Sequence, residues 1–169
     1  LGYLVTAFSL GLTAGILPGP MLGLVIRETL EHGKRAGYVV ASAPLLTDAP
    51  IIALALLVVG SVPPQFATIL GFVGGAFVIW MGIDALRTPT PQVQTGAAWQ
   101  SLWIAMVTNW LNPHPWLFWI PVGAPLLVTI ARSKSMWGAI AFLVVFYLML
   151  VGSKIGLTEI VSRSRQFLQ

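Results

Sequence analysis

Gly15-Ile16-Leu17-Pro18-Gly19-Pro20 interrupts an apolar run with no charged residue from Leu1 to Ile26. The run is long enough to cross a bilayer as a helix, which takes roughly 20 apolar residues. Two prolines and a glycine at its centre forbid one unbroken helix. Each proline removes an N–H, so the carbonyls of Ala14 and Ile16 lose their helical donors. Bare carbonyls in hydrocarbon cost several kcal/mol each, so broken backbone persists at that depth only against protein or water. One proline would be a packing kink. A Pro-Gly-Pro triplet points instead to the interrupted helices from which transporters build midplane sites.

Composition sets the class. Hydrophobic residues make up 57% and charged residues 8% of the chain, with mean hydropathy +0.87; soluble domains carry about 25% charged residues. The expectation is an all-α membrane protein, a polytopic helical bundle, since barrel strands would alternate. The net charge of +4 reflects membrane orientation, and no nucleic-acid partner is expected. The absence of cysteine excludes disulfides and thiolate metal sites. Two histidines and five acids leave little from which to build an enzyme, and neither a cofactor nor a bound metal is expected. The first apolar run lacks a basic n-region and is too long for a cleavable signal. With no initiating Met, a few residues are expected to precede Leu1.

Five spans are expected. The first runs from about Gly2 to Leu30, with Gly11, Gly15, Gly19 and Gly23 at every fourth position, a spacing suited to close helix contact. A hydrophilic loop holds Arg27, Glu28, Glu31, His32, Lys34 and Arg35, with Gly33 as the helix stop and His32 solvated. The second span, about Ala36 to Gly60, carries Asp48 at its centre. Pro44 and Pro50 flank it and free the carbonyls of Val40 and Leu46. The third, about Phe66 to Arg87, has Gly71 and Gly75 in GxxxG register. The fourth, from near Trp99 to near Ala131, is broken at Asn109-Trp110-Leu111-Asn112-Pro113-His114-Pro115, and some of its tryptophans are expected as interfacial anchors. The fifth starts near Met136 and ends before Arg163.

Lysine and arginine favour the cytoplasmic side. An N-outside start places Arg27, Lys34, Arg35, Arg87, Arg163 and Arg165 inside and only Arg132 and Lys134 outside. Breaks recur in spans one and four, each followed by a further apolar span. Units of three spans would insert upside down relative to each other, giving two inverted three-helix repeats. Residues 1–87 would be the first repeat, 88–98 a linker, and 99–169 an incomplete second repeat whose sixth helix is expected beyond Gln169.

Gly15 to Pro20, then His32-Gly33-Lys34-Arg35-Ala36-Gly37, then Asp48, resembles the opening of the lysine-exporter (LysE/RhtB) family. Gly71 through Trp80-Met81-Gly82-Ile83-Asp84-Ala85-Leu86-Arg87 resembles that family's third helix, and Asn109-Trp110-Leu111-Asn112-Pro113 its fourth. The resemblance covers nearly the whole chain. It implies a small exporter of amino acids or related metabolites in a bacterial or archaeal plasma membrane, with lipid and a small-molecule substrate as partners and a homodimer left open. His114-Pro115 departs from the family, which more often has a small or basic residue there and no second proline.

The mechanism expected is alternating access driven by the proton motive force. The candidate substrate site is Pro18, Gly19, Pro20, Asp48, Asn109, Asn112, Pro113 and His114. Substrate ammonium would face freed carbonyls and Asp48, and substrate carboxylate the half-helix N-termini. Asp48 and Lys154 are the candidate coupling groups. A charge at a helix centre costs roughly 2.5–3.5 kcal/mol on insertion scales, so Asp48 should hold a partner or a proton. The plainer alternatives are a structural pair with Lys154 or a hydrogen-bonded core residue for Asp48, snorkelling for Lys154, and local turn capping for Asn109 and Asn112. A divalent-metal exporter would have only Asp48 and His114 to offer within the membrane. A non-transporting scaffold would leave the proline breaks unexplained.

Overall fold

The computed structural model describes residues 1–61, Ile69, Phe72, Ala76, Ile79, Trp80, Ile83 and residues 98–167. Every element among them is helical. The chain runs through α1 (Gly2–Ile16), α2 (Pro20–His32), α3 (Lys34–Gly60), α4 (Ala98–Leu111), α5 (Pro113–Phe118), a π-helical turn (Trp119–Gly123), α6 (Ala124–Ser133) and α7 (Met136–Phe167). Three stretches are apolar and long enough to cross a membrane: α3, Pro113–Ser133 and α7. The pair α1–α2 makes a fourth if it counts as one span. The third expected span and the linker lie mostly outside the described residues, and the GxxxG pair Gly71 and Gly75 wholly so.

The first span is broken where the prolines require. The Leu17 N–H closes α1 on the Thr13 carbonyl at 2.9 Å, and α2 begins with Pro20 at its first position, where a missing N–H costs nothing. The two helices meet at a bend of 60°. By contrast α3 continues through both Pro44 and Pro50 for 27 residues, about 40 Å at helical rise. Fourth-span proline breaks the chain at Asn112, leaving Leu102–Leu111 as a shorter apolar helix. The π-turn contains Pro121, and its wide winding brings the Trp119 ring over Gly123, where a Cβ would collide with the indole.

Small residues let α1 lie directly on α7. A Cβ on Gly11 would run into the Phe146 carbonyl, and one on Gly15 into Ser153 Oγ and the Leu150 backbone. The contact expected of the four-residue glycine spacing is therefore made at these two positions. Gly19 is different: its backbone is extended and a Cβ there would meet nothing within 4 Å.

The charged loop expected after the first span is not a loop. Helix α2 runs through His32, and Gly33 alone joins it to α3 with φ 85°, a conformation reserved for glycine. Glu28, expected among solvated charges, is 0% exposed. The reason is helical phase: Met21, Leu24 and Val25 lie seven, four and three residues before it on the same buried stripe. His32 Nδ1 sits 3.3 Å from Glu28 Oε2, so His32 is exposed but helical and paired.

Two apolar cores result. One joins Ala7 of α1, Ile51 and Ala55 of α3, Phe118 to Ile130, and Ala139 to Val151 of α7. The other joins Met21, Leu24 and Val25 of α2, Val40, Ala41 and Ala43 of α3, and Ala105 of α4. The chain passes from one core to the other at Leu17–Gly19, at Pro44–Asp48 and at Asn109–Asn112. Outside the cores, large apolar side chains such as Val5, Leu57, Trp137, Val144 and Leu148 are exposed, the surface of a protein dissolved in lipid.

Gly15→Val is expected to lower stability in detergent by about 1–3 kcal/mol through overpacking. Gly33→Ala is expected to lower it by about 1–3 kcal/mol through backbone strain. Gly19→Ala should unfold at the wild-type temperature. Thermal unfolding of the three purified variants checks the ranking.

Candidate functional site

The three crossings between the cores line one cavity of about 110 Å³. Its walls include Leu17, Pro18, Gly19 and Pro20 from the first break, Pro44 and Asp48 from α3, and Asn109, Asn112 and His114 from the second break. Phe118, Trp119, Phe146, Leu150 and Lys154 also line it. Of the residues expected from the sequence, Pro113 alone is not on its wall. As the first residue of α5 it sets the break without facing the space.

Asp48 is 4% exposed and surrounded by donors. Asn109 Nδ2 donates to its Oδ1 at 2.7 Å, and the Tyr147 hydroxyl donates to its Oδ2 at 3.0 Å. The Trp119 indole adds a further donor toward it. Asn109 Nδ2 also donates to Thr47 Oγ1 at 2.6 Å, while the Thr47 hydroxyl donates to the Ala43 carbonyl at 3.1 Å. An acceptor-only carboxylate is what such a shell complements. The α3 carboxylate is thus held by one side chain from α4 and one from α7, so three helices converge on it.

Lys154 is equally buried, at 4% exposure, and does not snorkel. Its Nζ donates to the Ala14 carbonyl at 3.4 Å and the Gly15 carbonyl at 3.2 Å. Ala14 is the residue whose carbonyl Pro18 deprives of its donor. The lysine therefore caps the C-terminal end of α1, where the helix dipole is negative. Of the carbonyls freed by the first break, that of Ala14 is occupied by the protein's own ammonium. No ion pair within 4.0 Å joins Lys154 to Asp48, although both line the cavity.

The second break is organised by Asn112. Its Oδ1 accepts the His114 backbone N–H at 3.1 Å, capping α5, and lies 2.9 Å from His114 Nδ1. Asn112 therefore both caps a half-helix and lines the cavity, whereas Asn109 binds Asp48. The His114 ring also stacks against Trp80, centroids 6.5 Å apart. Trp119 is 1% exposed and packs edge-on to Phe118 and Phe146 and parallel to Tyr147. It is a core residue, unlike Trp103 and Trp137, which are largely exposed.

Tyr147, Thr47 and Trp119 were not singled out by the sequence. A signal existed for the first: Tyr147 is seven residues before Lys154 on α7, which puts the two polar groups on one helical face. Away from the cavity, Glu28, Glu31 and His32 bring ligand atoms within 4.8 Å of one another. Glu28 is buried there while Glu31 and His32 are exposed, and the group is already joined by the Glu28–His32 and Arg27–Glu31 contacts.

The LysE type translocator family matches residues 12–168. The chain is 28% identical over 130 residues to the uncharacterized membrane protein YahN of Escherichia coli (strain K12), covering 71% of this chain and 57% of that protein. It is 25% identical over 164 residues to the arginine exporter protein ArgO of Salmonella enteritidis PT4, covering 90% of this chain and 76% of that one. The ArgO protein of Salmonella newport matches to the same extent. The alignments thus span little more than half of YahN and about three quarters of ArgO. No solved structure gives a significant match. The match over nearly all of its length, together with the apolar spans and the paired helix breaks, means that this multi-pass integral membrane protein belongs to the LysE type translocator family.

Proposed function

We propose that the chain exports amino acids or related small metabolites across a bacterial plasma membrane by alternating access around this cavity. The observation that carries the proposal is that both helix breaks, Asp48 and Lys154 line one small space. Membership of a translocator family supports transport, and relatives named arginine exporters support amino acids as the class of cargo.

In this proposal the substrate ammonium binds Asp48, which keeps lone-pair capacity beyond the Asn109 and Tyr147 bonds. The substrate carboxylate is directed to Lys154 and to the first turn of α2, where Met21 and Leu22 line the cavity. First-turn N–H groups have no intrahelical acceptor and carry the positive end of the dipole. Of the two freed α1 carbonyls, that of Ala14 is already taken by Lys154 and so is not offered to the ammonium. Pro18, Gly19 and Pro20 shape one wall; Asn109 positions Asp48; Asn112 and Pro113 set the opposing half-helix that carries His114. Residues 1–87 and 99–169 would act as two inverted repeats, each contributing one break.

Asp48 is also the proposed coupling group, exchanging a proton for the substrate ammonium. One elementary charge moved across about 100 mV supplies about 2.3 kcal/mol, enough for roughly a fifty-fold gradient.

Proteoliposomes with an imposed pH gradient test the proposal. Asp48→Asn keeps the shape and the Tyr147 contact and is expected to abolish gradient-driven efflux of amino acids while unfolding near the wild-type temperature. Asp48→Glu should retain part of the rate. Wild-type efflux in Asp48→Asn would reject the coupling role. Asn109→Ala is expected to lower stability by about 1–3 kcal/mol, because it strips Asp48 of its shortest hydrogen bond in a buried site. Thermal unfolding in detergent measures that loss.

A further inference from the structure

The cavity contains two opposite charges that do not neutralise each other by contact. Asp48 and Lys154 are the formally charged residues among the described wall residues, each 4% exposed, and no ion pair within 4.0 Å joins them. Neutral groups hold each in place: Asn109 and Tyr147 for the carboxylate, the Ala14 and Gly15 carbonyls for the ammonium. Two of the three lysine donors are so placed, and the carboxylate, with Asn109, Tyr147 and the Trp119 indole directed at it, fills about three of its roughly four positions. Both charges therefore retain capacity toward the space between them.

We infer that the cargo is a zwitterion with an uncharged side chain, and that Lys154 sets this specificity by disfavouring basic amino acids. The inference rests on the cavity being the export site proposed above. Empty and with Asp48 deprotonated, the state that accepts cargo in the proposed exchange, the cavity carries charges that sum to zero. A neutral amino acid brings one ammonium and one carboxylate, matches Asp48 and Lys154 pole for pole, and leaves the sum at zero. Arginine or lysine brings a second cation into a buried space that already holds Lys154. Uncompensated charge in such surroundings is strongly disfavoured.

A second cation would also need a second anion. Asp48 is the single carboxylate among the described wall residues. His114, the remaining titratable group there, is neutral or positive and never negative. The rest of the wall is largely apolar, with Leu17, Met21, Phe118, Trp119, Phe146 and Leu150, which suits a small aliphatic side chain. The relatives named arginine exporters thus guide the chemical class of the cargo and not its charge.

The test uses the full chain in proteoliposomes loaded with labelled alanine, threonine, leucine, arginine or lysine. Neutral amino acids are expected to leave at least about tenfold faster than basic ones at equal concentration, since like charges confined in one low-dielectric site repel strongly. Lys154→Gln retains an amide donor for the α1 carbonyls and removes the charge. It is expected to narrow the neutral-to-basic ratio to within about threefold by raising arginine and lysine efflux relative to neutral efflux.

Arginine or lysine leaving wild-type vesicles as fast as the neutral amino acids overturns the charge assignment and leaves amino-acid export standing. An unchanged ratio in folded Lys154→Gln, judged by its thermal unfolding, overturns the role of Lys154. Efflux of none of the five overturns the export proposal and this inference together. Should Lys154→Gln fail to fold, the wild-type ratio still decides the charge assignment.

Discussion

A carbonyl that has lost its helical donor inside a membrane must find another, and that constraint governs this fold. Pro18 takes the donor from Ala14, and Lys154 supplies the replacement from the far helix α7. The arrangement needs α1 and α7 in direct backbone contact, which the absence of side chains at Gly11 and Gly15 permits. Close packing and capping are thus one device. The glycines bring the helices together, and the lysine satisfies the end that the proline exposes. Buried charge and broken backbone, each unfavourable alone, compensate each other, because an ammonium on carbonyls at a helix C-terminus is favourably placed against the dipole.

Asp48 answers the same constraint elsewhere in the cavity lining. Thr47 and Asp48 lie between Pro44 and Pro50, where the α3 ladder has gaps, and the polar groups that gather there come from α4 and α7. Asn109 serves two acceptors, Thr47 and Asp48. Its loss would disturb both the α3–α4 contact and the carboxylate. The aromatic group formed by Phe118, Trp119, Phe146 and Tyr147 surrounds this polar centre with apolar surface. Water is thereby limited on that side, and electrostatic interactions within the space are stronger than they would be in solution.

Much of this was legible in the sequence, and for a physical reason. Prolines and midspan charges are costly in a membrane, so the residues that violate the apolar pattern are the ones with something to do. Pro18, Pro20, Asp48, Asn109 and Asn112 stood out on that ground, and all line the cavity. What could not be read was orientation. A helix that is apolar on every side has no polar stripe to separate protein from lipid, so Trp119, a core residue, looked like the exposed tryptophans around it. Glu28 was misplaced for the converse reason. Charged neighbours on both sides suggested a solvated loop, while the helix continued beneath them and its phase turned that one carboxylate inward. Lys154 was ambiguous because its partner is backbone, which leaves no mark on the sequence.

The three crossings between the apolar cores all fall in the polar, proline-bearing layer that forms the cavity. The two cores therefore lie to either side of the cavity, one built on α1, α3 and α7 and the other on α2, α3 and α4. The segments that join them are those in which prolines remove helical donors, so in the proposed export cycle they are where the chain would bend. The interruptions that a folding ledger would count as defects are gathered at one level, and in the proposed alternating access they would spare the chain from unpacking both cores to open either.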